Sequence, residues 1–241
     1  MHLQTRYPAF DAEVTSVEQV TKRMRRVTFR SEAFRDLNDL LPGQWMKVFF
    51  DEQTAGRAYT VRAVRAAVGE IDMDFVLHGE TSKHGPAASW IRQVGRGRRV
   101  RLYGPRSDFR HDPDRRLCLF GDECALPAIC VILESLPQRA PCIAVIEGAD
   151  RPAIGRLCSN AGLVNSSVVQ MPERGGEGLL AVGRHLLLTP ETDQIWVGCE
   201  STMARRLRAE FLELGFDRRS LHVSGYWKRG VSDHVDSDSD Y

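Results

Sequence analysis

The sequence has 241 residues, a length that favours two domains of ordinary size. Its 33 Lys and Arg residues balance 32 Asp and Glu residues, for a formal net charge of +1, which argues against a nucleic-acid-binding protein driven by overall charge. No stretch approaches the roughly 18 apolar residues of a membrane span, and the first ten residues lack a signal-peptide core. We therefore expect a cytoplasmic protein without membrane insertion.

The first half of the chain is strand-like. Apolar or β-branched runs separated by turn residues extend from about Ala12 to Tyr103. Examples of the predicted strands are residues 26–29, 46–50, 58–61, 71–77 and 99–102. One helix is predicted from Pro86 to Gln93. Many short, closely spaced strands are typical of a small antiparallel barrel.

After Gly104-Pro105 the pattern changes to strands that alternate with helices. The predicted strands are residues 117–120, 142–146, 167–170, 195–198 and 221–226. The predicted helices are residues 126–136, 178–188 and 203–214, and Ser201 and Thr202 are candidate N-caps of the last one. This alternation is typical of a parallel sheet covered by helices.

These patterns predict one domain at residues 1–110 and a second at residues 111–231. Residues 232–241 contain four aspartates among serines and are predicted to be a disordered acidic tail.

The six cysteines all lie from residue 118 onward and include no Cys-x-x-Cys pair, which argues against a zinc or iron–sulfur site. They are Cys118, Cys124, Cys130, Cys142, Cys158 and Cys199. Several lie in apolar runs, so we expect buried structural thiols, and no metal ligands are predicted.

The segment from Arg57 to Arg62 combines an aromatic ring, a hydroxyl and two cations on one predicted strand. Strand alternation puts Arg57 and Tyr59 on one face and Thr60 and Arg62 on the other. A protein that binds a flat ring system with a phosphate tail uses an aromatic ring, a hydroxyl donor and cations of this kind. An amphipathic edge strand with solvated arginines would explain the same residues, so this segment alone leaves both interpretations open.

Two further segments are candidates for binding a nucleotide. Residues 74–79 lead to Gly85-Pro86-Ala87, where a helix begins and its free N–H groups favour anions. Residues 121–129 follow the first strand of the second domain, where ligands of such sheets gather, but they contain no Gly-x-Gly-x-x-Gly motif. Each segment also has an explanation that involves no ligand. His78 would be an ordinary histidine at a strand end, and residues 121–129 would be a strand-to-helix connection with acidic caps.

Together with Trp196-Val197-Gly198-x-Glu200 and Gly225-Tyr226-Trp227-Lys228-x-Gly230, these segments resemble the siderophore-interacting protein family of the ferredoxin reductase superfamily. The resemblance covers nearly the whole chain. It implies a six-stranded antiparallel β-barrel that binds FAD, followed by an α/β parallel-sheet domain that binds NAD(P)H.

The resemblance also implies roles for individual residues. Tyr59 would lie against the isoalloxazine ring and Thr60 near its reactive edge. The other residues on the FAD side would be Arg57, Arg62, Asp74, Phe75, Val76, His78, Gly85, Pro86 and Ala87. Those on the dinucleotide side would be Asp122, Glu123, Ala125, Glu200, Tyr226 and Trp227.

The implied activity is that of an NAD(P)H-dependent ferric-siderophore reductase, with FAD linking a two-electron donor to ferric iron. Reduction would loosen the chelate, so neither a protein metal ligand nor a catalytic side chain is required. NADPH is favoured over NADH because the chain ends soon after Gly230, as in the shorter members of the family. A ferredoxin is the alternative electron donor.

Ferric chelates of this kind often carry negative charge, and Lys47, Arg106 and Lys228 are the candidate contacts. Solvated surface cations would explain each of the three equally well. A catecholate siderophore is the favoured substrate and a monomer is expected. Basic runs at residues 22–26 and 96–101 are interpreted as solvated strand faces and not as a nucleic-acid surface.

Two alternative functions remain open at this point. One is general flavin-dependent electron transfer to ferredoxin, free flavin or a quinone. The other is a non-catalytic, FAD-bearing carrier of iron chelates.

Overall fold

The computed structural model describes residues 7–38, 40–50, 56–77, 86–107, 109–159 and 164–231. The chain forms two compact units that divide between residues 108 and 109. The predictions for His78, Gly85, the side chain of Pro86 and the segment 232–241 lie outside the described residues.

The first unit is a closed barrel of six antiparallel strands, as predicted. The strands are β1 (Ala9–Thr21), β2 (Met24–Arg30), β3 (Trp45–Phe49), β4 (Arg57–Arg65), β5 (Glu70–Val76) and β6 (Arg99–Arg106), and helix α1 spans Pro86–Gln93. Their order around the barrel is β1-β2-β5-β4-β3-β6. Closure pairs every strand on both sides, which leaves the barrel without a free edge.

Alternating side chains decide which residues fill the barrel and which lie outside. In β3, Met46 and Val48 are fully buried, whereas Trp45, Lys47 and Phe49 are only partly buried. In β4 the register against β5 shifts between Val61 and Ala63. Such a bulge breaks the strict alternation, and the adjacent residues Thr60 and Val61 are both buried.

The second unit is a five-stranded parallel sheet with helices, which confirms the predicted α/β class. Its elements are β7 (Arg116–Asp122), α2 (Leu126–Ser135), β8 (Cys142–Glu147), α3 (Arg151–Ser159), β9 (Ser166–Met171), α4 (Glu177–His185), β10 (Asp193–Glu200), α5 (Ser201–Glu213) and β11 (Leu221–Trp227). The strand order is β11-β10-β7-β8-β9. The chain places β8 and β9 on one side of β7 and then β10 and β11 on the other side, so the strand order reverses between β7 and β10. In sheets of this kind, ligands bind at the carboxyl ends of the two strands where the order reverses.

The second core is built around β10, whose residues from Asp193 to Cys199 are all buried. Asp193 is only 1% exposed, and its carboxylate accepts two hydrogen bonds of 2.7 Å from Arg116, one from Nε and one from Nη2. Pairing of this kind is the usual requirement for burying a charge. Among the helices of the described ranges, none has both the length and the apolar character needed to cross a membrane.

All six cysteines are free thiols; five are buried and Cys124 is partly exposed. Burial raises the pKa of both the Cys118 and the Cys142 thiol to about 12. These groups are neutral at ordinary pH, in agreement with the predicted structural role.

Candidate functional site

Strand β4 carries the aromatic and cationic residues of the first candidate site. Arg57 lies opposite Val48 and Tyr59 lies opposite Met46 on β3. Because directly paired residues share a face, Arg57 and Tyr59 lie on the same side of the barrel wall as the buried partners. The Tyr59 ring packs against Phe75, with ring centroids 4.2 Å apart. The strand thus places an aromatic ring and a cation on one face.

The residues around helix α1 fit a ligand rich in oxygen atoms, as FAD would be. Trp90 packs against Phe50 at a centroid distance of 4.8 Å, and its indole Nε1 is buried with no hydrogen-bond partner in the described part of the chain. The Nε of Arg25 is in the same situation, while its Nη1 donates to the Ile91 carbonyl at 2.7 Å. Buried donors without acceptors cost about 1–3 kcal/mol, which an acceptor on a ligand would recover.

Other residues expected on the FAD side have partners within the barrel. The Asp74 carboxylate accepts hydrogen bonds from Nε and Nη2 of Arg26, at 2.7 and 2.9 Å. Phe75 and Ala87 are 1% and 4% exposed and belong to the barrel core. Val76 ends β5. A ligand contact at Phe75 or Ala87 would therefore use main-chain atoms.

The outer face of β3 brings together Lys47 and Arg106, two of the three cations expected to contact the chelate. The guanidinium carbon of Arg106 lies 4.6 Å from the ring centroid of Tyr7 and 4.6 Å from that of Trp45. Burial lowers the pKa of Lys47, and the nearby charge of Arg106 lowers it further. Two like charges close together destabilise each other, and a bound anion would offset this repulsion.

Several other arginines of the barrel, unlike this pair, have carboxylate partners. Examples are the ion pairs Arg26–Asp74, Arg30–Glu70, Arg35–Glu32, Arg65–Asp72 and Arg101–Asp11. Neither Lys47 nor Arg106 forms an ion pair with a carboxylate anywhere in the ranges the structure covers. The pair is therefore a site of uncompensated positive charge, the property expected of an anion-binding surface.

At the carboxyl edge of the parallel sheet, Asp122 joins the ends of three strands. Its Oδ1 accepts from the Cys124 N–H at 2.9 Å. Its Oδ2 accepts from the Glu200 N–H at 3.0 Å and from the Trp227 indole at 2.8 Å. Burial raises the pKa of Asp122 to about 6, although these hydrogen bonds act in the opposite direction. Residues of β7, β10 and β11 thus meet at a single carboxyl group.

Glu200 caps helix α5, and the predicted N-caps Ser201 and Thr202 are wrong. Glu200 Oε2 accepts from the N–H groups of Thr202 and Met203, at 2.7 and 3.2 Å, and Oε1 accepts from the Arg229 N–H at 3.1 Å. Burial alone would raise the pKa of Glu200, but these three N–H groups bring it below its usual range. The Ser201 hydroxyl instead donates to the Trp227 carbonyl at 3.0 Å.

Two further glutamates lie at this edge: Glu147, which was not singled out in the sequence, and Glu123, which the resemblance places on the dinucleotide side. Glu147, only 3% exposed at the end of β8, accepts from the N–H groups of Arg174, Gly176 and Gly178, at 2.7, 2.6 and 3.2 Å. Glu123 Oε1 accepts from the Ala149 N–H at 2.8 Å. Glu147 could have been identified from the sequence, because it is an acidic residue directly after the predicted strand 142–146.

The remaining residues of the dinucleotide side have close neighbours in the same unit. Ala125 is fully buried, and its N–H donates to the Asp122 carbonyl at 3.0 Å. Tyr226 meets Trp196 edge to face, with centroids 6.1 Å apart. Lys228 forms an isolated bridge with Val231 just after β11. Across the described residues, no three His, Cys, Asp or Glu side chains cluster as metal ligands would.

Comparison with known proteins gives family matches for both units. Residues 13–56 and 51–109 match the siderophore-interacting FAD-binding domain. Residues 114–230 match the siderophore-interacting protein model.

Curated relatives and a solved structure agree with these matches. The chain is 30% identical over 183 residues to the ferric acinetobactin reductase of Acinetobacter baumannii, covering 75% of this chain and 63% of that protein. It is 29% identical over 245 residues to the ferric vibriobactin reductase ViuB of Vibrio cholerae, covering 90% of this chain and 88% of that protein. The structure of a siderophore-interacting protein from Acinetobacter baumannii, 24% identical, superimposes with a TM-score of 0.82 over 94% of this chain and 93% of the other.

The barrel, the parallel sheet and the two family matches, which together extend from residue 13 to residue 230, lead to one conclusion. The chain belongs to the siderophore-interacting protein family.

Proposed function

We propose that this protein reduces ferric iron in a siderophore chelate, with FAD as cofactor and NADPH as electron donor. The observation that carries the proposal is the uncompensated pair Lys47 and Arg106, beside the strand proposed to bind flavin. Lys47 lies directly opposite Ala58, the residue between Arg57 and Tyr59. An anionic chelate held by this pair would lie on the outer face of β3 and β4, the face of Ala58 and not that of Arg57 and Tyr59. The names of the two curated relatives support the same substrate class.

In this proposal residues 1–110 bind FAD. Tyr59 supports the ring system, Thr60 lies near it, and Arg57 and Arg62 supply cations for ring or phosphate oxygens. The remaining proposed contacts are Asp74, Phe75, Val76, His78, Gly85, Pro86 and Ala87. The buried donors of Trp90 and Arg25 add to the fit.

Residues 111–231 bind the nicotinamide nucleotide in this proposal. The proposed contacts at the carboxyl edge of the sheet are Asp122, Glu123, Ala125, Glu200, Tyr226 and Trp227. Lys228 is proposed as a third cation for the chelate. The position of Asp122 and Glu200 at the switch between β7 and β10 supports this assignment.

A bound flavin supplies the conversion between a two-electron donor and a one-electron acceptor. One NADPH then reduces two ferric ions and yields NADP⁺, one proton and two ferrous ions. Lys47 and Arg106 hold the chelate and balance its negative charge. Hard oxygen donors bind ferrous iron more weakly than ferric iron, so reduction favours release.

Anaerobic stopped-flow spectroscopy of the FAD-loaded protein tests this proposal. NADPH should bleach the flavin absorbance, and a ferric catecholate should restore it while a ferrous-specific dye develops colour. Bleaching followed by reoxidation with ferredoxin or a quinone, but not with the ferric chelate, would contradict the proposed substrate. Flavin that NADPH and NADH both fail to bleach would show a carrier without reductase activity.

A further inference from the structure

We propose that Arg174 and Arg229 bind the 2′-phosphate of NADPH and thereby make the protein select NADPH over NADH. Arg174 lies in the connection from β9 to α4, and Arg229 follows β11. The two residues are called the arginine pair below. The inference rests on the proposed function, because it assigns the choice of electron donor to two residues of the second unit.

The guanidinium group of Arg229 lies against the turn that begins with Arg174. A Cβ atom at Gly175 would be only 3.0 Å from Nη2 of Arg229. Gly175 also has a φ of 67°, a conformation that glycine adopts without strain. The absence of a side chain at Gly175 therefore leaves room for the guanidinium group, and two arginines far apart in sequence meet at one turn.

Main-chain hydrogen bonds attach both arginines to the carboxyl edge of the parallel sheet. The N–H of Arg174 donates to Oε1 of Glu147 at 2.7 Å, and Glu147 is the last residue of β8. The N–H of Arg229 donates to Oε1 of Glu200 at 3.1 Å, and Glu200 is the last residue of β10. Because this edge is where ligands of such sheets bind, the arginine pair lies on the proposed nucleotide side.

Both side chains of the arginine pair are exposed and available to an anion. Neither forms an ion pair with a carboxylate among the residues that the structure describes. Other arginines of the second unit do form ion pairs, namely Arg116–Asp193, Arg184–Glu210 and Arg206–Glu177. The arginine pair therefore keeps guanidinium donors that a phosphate could use.

A phosphate at this turn would have to be bound by side chains. The N–H groups of Gly176 and Gly178 already donate to Glu147, at 2.6 and 3.2 Å. These main-chain donors also offset part of the negative charge of Glu147, which would otherwise repel a phosphate. Arginine suits the task because its planar set of N–H donors matches two phosphate oxygens at once.

The 2′-phosphate is the group that distinguishes NADPH from NADH. A phosphate monoester carries a charge of about −1.5 to −2 at pH 7, whereas the ribose hydroxyl of NADH is neutral. Glu200 connects the arginine pair to the proposed nucleotide contacts, since its Oε1 accepts from Arg229 and its N–H donates to Asp122. Charge-assisted hydrogen bonds from the arginine pair would therefore stabilise bound NADPH and not bound NADH.

Binding of three adenosine phosphates to the FAD-loaded protein tests the inference. Adenosine 2′,5′-bisphosphate and adenosine 5′-monophosphate differ only in the 2′-phosphate, and adenosine 3′,5′-bisphosphate carries the same charge at a different position. All three lack the nicotinamide, so calorimetry reports binding alone. We expect the 2′,5′-bisphosphate to bind about tenfold more tightly than each of the other two.

Variants of the arginine pair identify its contribution. Arg229→Ala and Arg174→Ala should each remove most of the tenfold preference and leave the affinity for the 5′-monophosphate within about twofold of the wild-type value. Arg229→Lys, which keeps the charge but loses the planar set of donors, should retain only part of the preference. Arg139→Ala is the matched control, because it removes an exposed arginine from the connection between α2 and β8, at the opposite edge of the sheet.

Equal affinity of the wild-type protein for the two bisphosphates, or no binding of the 2′,5′-bisphosphate, would overturn the inference. So would an equal loss of preference in Arg139→Ala, because the preference would then reflect overall charge. A 2′-phosphate preference that depends on Arg229 in a protein that reduces no ferric chelate would contradict the proposed function and leave the arginine pair intact. Reduction of ferric chelate by a protein without this preference would do the opposite.

Discussion

At the scale of single residues, Asp122 shows how burial and hydrogen bonding compete at one carboxyl group. Three N–H donors favour its charged form, and partial burial favours the neutral form. Burial prevails and raises the pKa to about 6. Asp122 therefore changes charge in a pH range where ordinary aspartates are fully ionised.

The Trp227 indole should report this titration directly. Since Trp227 Nε1 donates to Asp122, its ¹H–¹⁵N resonance should shift with a midpoint near pH 6, the pKa of the carboxyl group. The shift should disappear in Asp122→Asn. Glu200, whose pKa is lowered, should titrate well below this range and serves as the internal control. A midpoint near 4 in the wild-type protein would contradict the burial argument.

The same pKa shift predicts a pH dependence of stability. The folded carboxyl group, with a pKa of about 6 against an ordinary 3.8, binds its proton more tightly than the unfolded one. The Asp122 carboxyl group therefore adds roughly 3 kcal/mol to the free energy of unfolding below pH 3.8. This stabilisation is lost as the pH rises through about 6. The free energy of unfolding, measured with urea at pH 4 and at pH 7, should therefore fall more between these pH values for the wild-type protein than for Asp122→Asn. An unchanged difference between the two proteins would contradict this expectation.

Tyr59 and Lys228 separate cofactor binding from substrate binding. Tyr59→Ala removes an aromatic surface that packs against Phe75, so the loss of FAD affinity should be about tenfold or more. Lys228→Ala should leave FAD affinity within about twofold of the wild-type value. Flavin fluorescence during titration of the apoprotein measures both. Equal effects of the two substitutions would contradict the proposed role of Tyr59.

At the scale of elements, Glu147 organises the connection from β9 to α4. It is buried and accepts three main-chain hydrogen bonds from residues 174–178, which include the positive-φ residue Gly176. The N–H groups of Gly176 and Gly178, at the start of α4, therefore have an acceptor within the protein. A phosphate group bound at this edge would need donors other than the N–H groups of Gly176 and Gly178.

Glu147→Ala should destabilise the protein by about 2–4 kcal/mol, because three buried N–H groups would lose their acceptor. Glu147→Gln should also destabilise it, since the amide –NH₂ would face N–H donors. Glu177→Ala, which removes an exposed ion pair between the start of α4 and Arg206 of α5, is the control and should change stability little. Urea denaturation measures all three variants. A stable Glu147→Ala variant would contradict the role assigned to Glu147.

The elements that the sequence predicted correctly are those with a strong local pattern. Strand β3 alternates buried and partly exposed residues, and β10 is continuously apolar at its centre, so both are visible in short windows. Helix α3 was missed because Pro152 and Gly155 interrupt its pattern and only three of its side chains are buried. The cap of α5 was misassigned because the Ser201 hydroxyl is used by Trp227, a residue far along the chain.

The candidate sites were predictable as residue types but not as contacts. The cations Lys47 and Arg106 were predicted as contacts of one ligand, but only the β3–β6 pairing places Trp45, the residue two positions before Lys47, opposite Arg106. The hydrogen bond between Asp122 and Trp227 joins residues 105 positions apart, and no local pattern encodes it. Tertiary contacts of this length depend on strand order, which periodicity alone does not give.

At the scale of the whole molecule, each unit has its own buried core. Phe29, Met46 and Ile71 belong to the core of the first unit, and Phe120, Val197 and Phe211 belong to that of the second. Separate cores are the property that lets domains unfold as separate cooperative units. The four tryptophans report on both units, since Trp45 and Trp90 lie in the first and Trp196 and Trp227 in the second.

We therefore expect two unfolding transitions, of which FAD shifts the one that belongs to the barrel. At a free FAD concentration of 100 times Kd, the first unit should gain about 2.7 kcal/mol of stability. Urea titration followed by ¹⁹F NMR of 5-fluorotryptophan-labelled protein would resolve the four reporters. The midpoints of Trp45 and Trp90 should rise with FAD, and those of Trp196 and Trp227 should change much less. A rise confined to Trp196 and Trp227 would contradict the assignment of FAD to the barrel.

The buried thiols have a consequence for a protein proposed to generate ferrous iron. With a pKa of about 12, the Cys118 and Cys142 thiols are deprotonated in roughly one molecule in 10⁵ at pH 7. Ferrous iron with hydrogen peroxide forms hydroxyl radicals, and thiolates are the form of cysteine that peroxide oxidises and metal ions capture. Keeping both sulfurs protonated and enclosed would let the protein work beside its own product without sulfenic acid damage at these two positions.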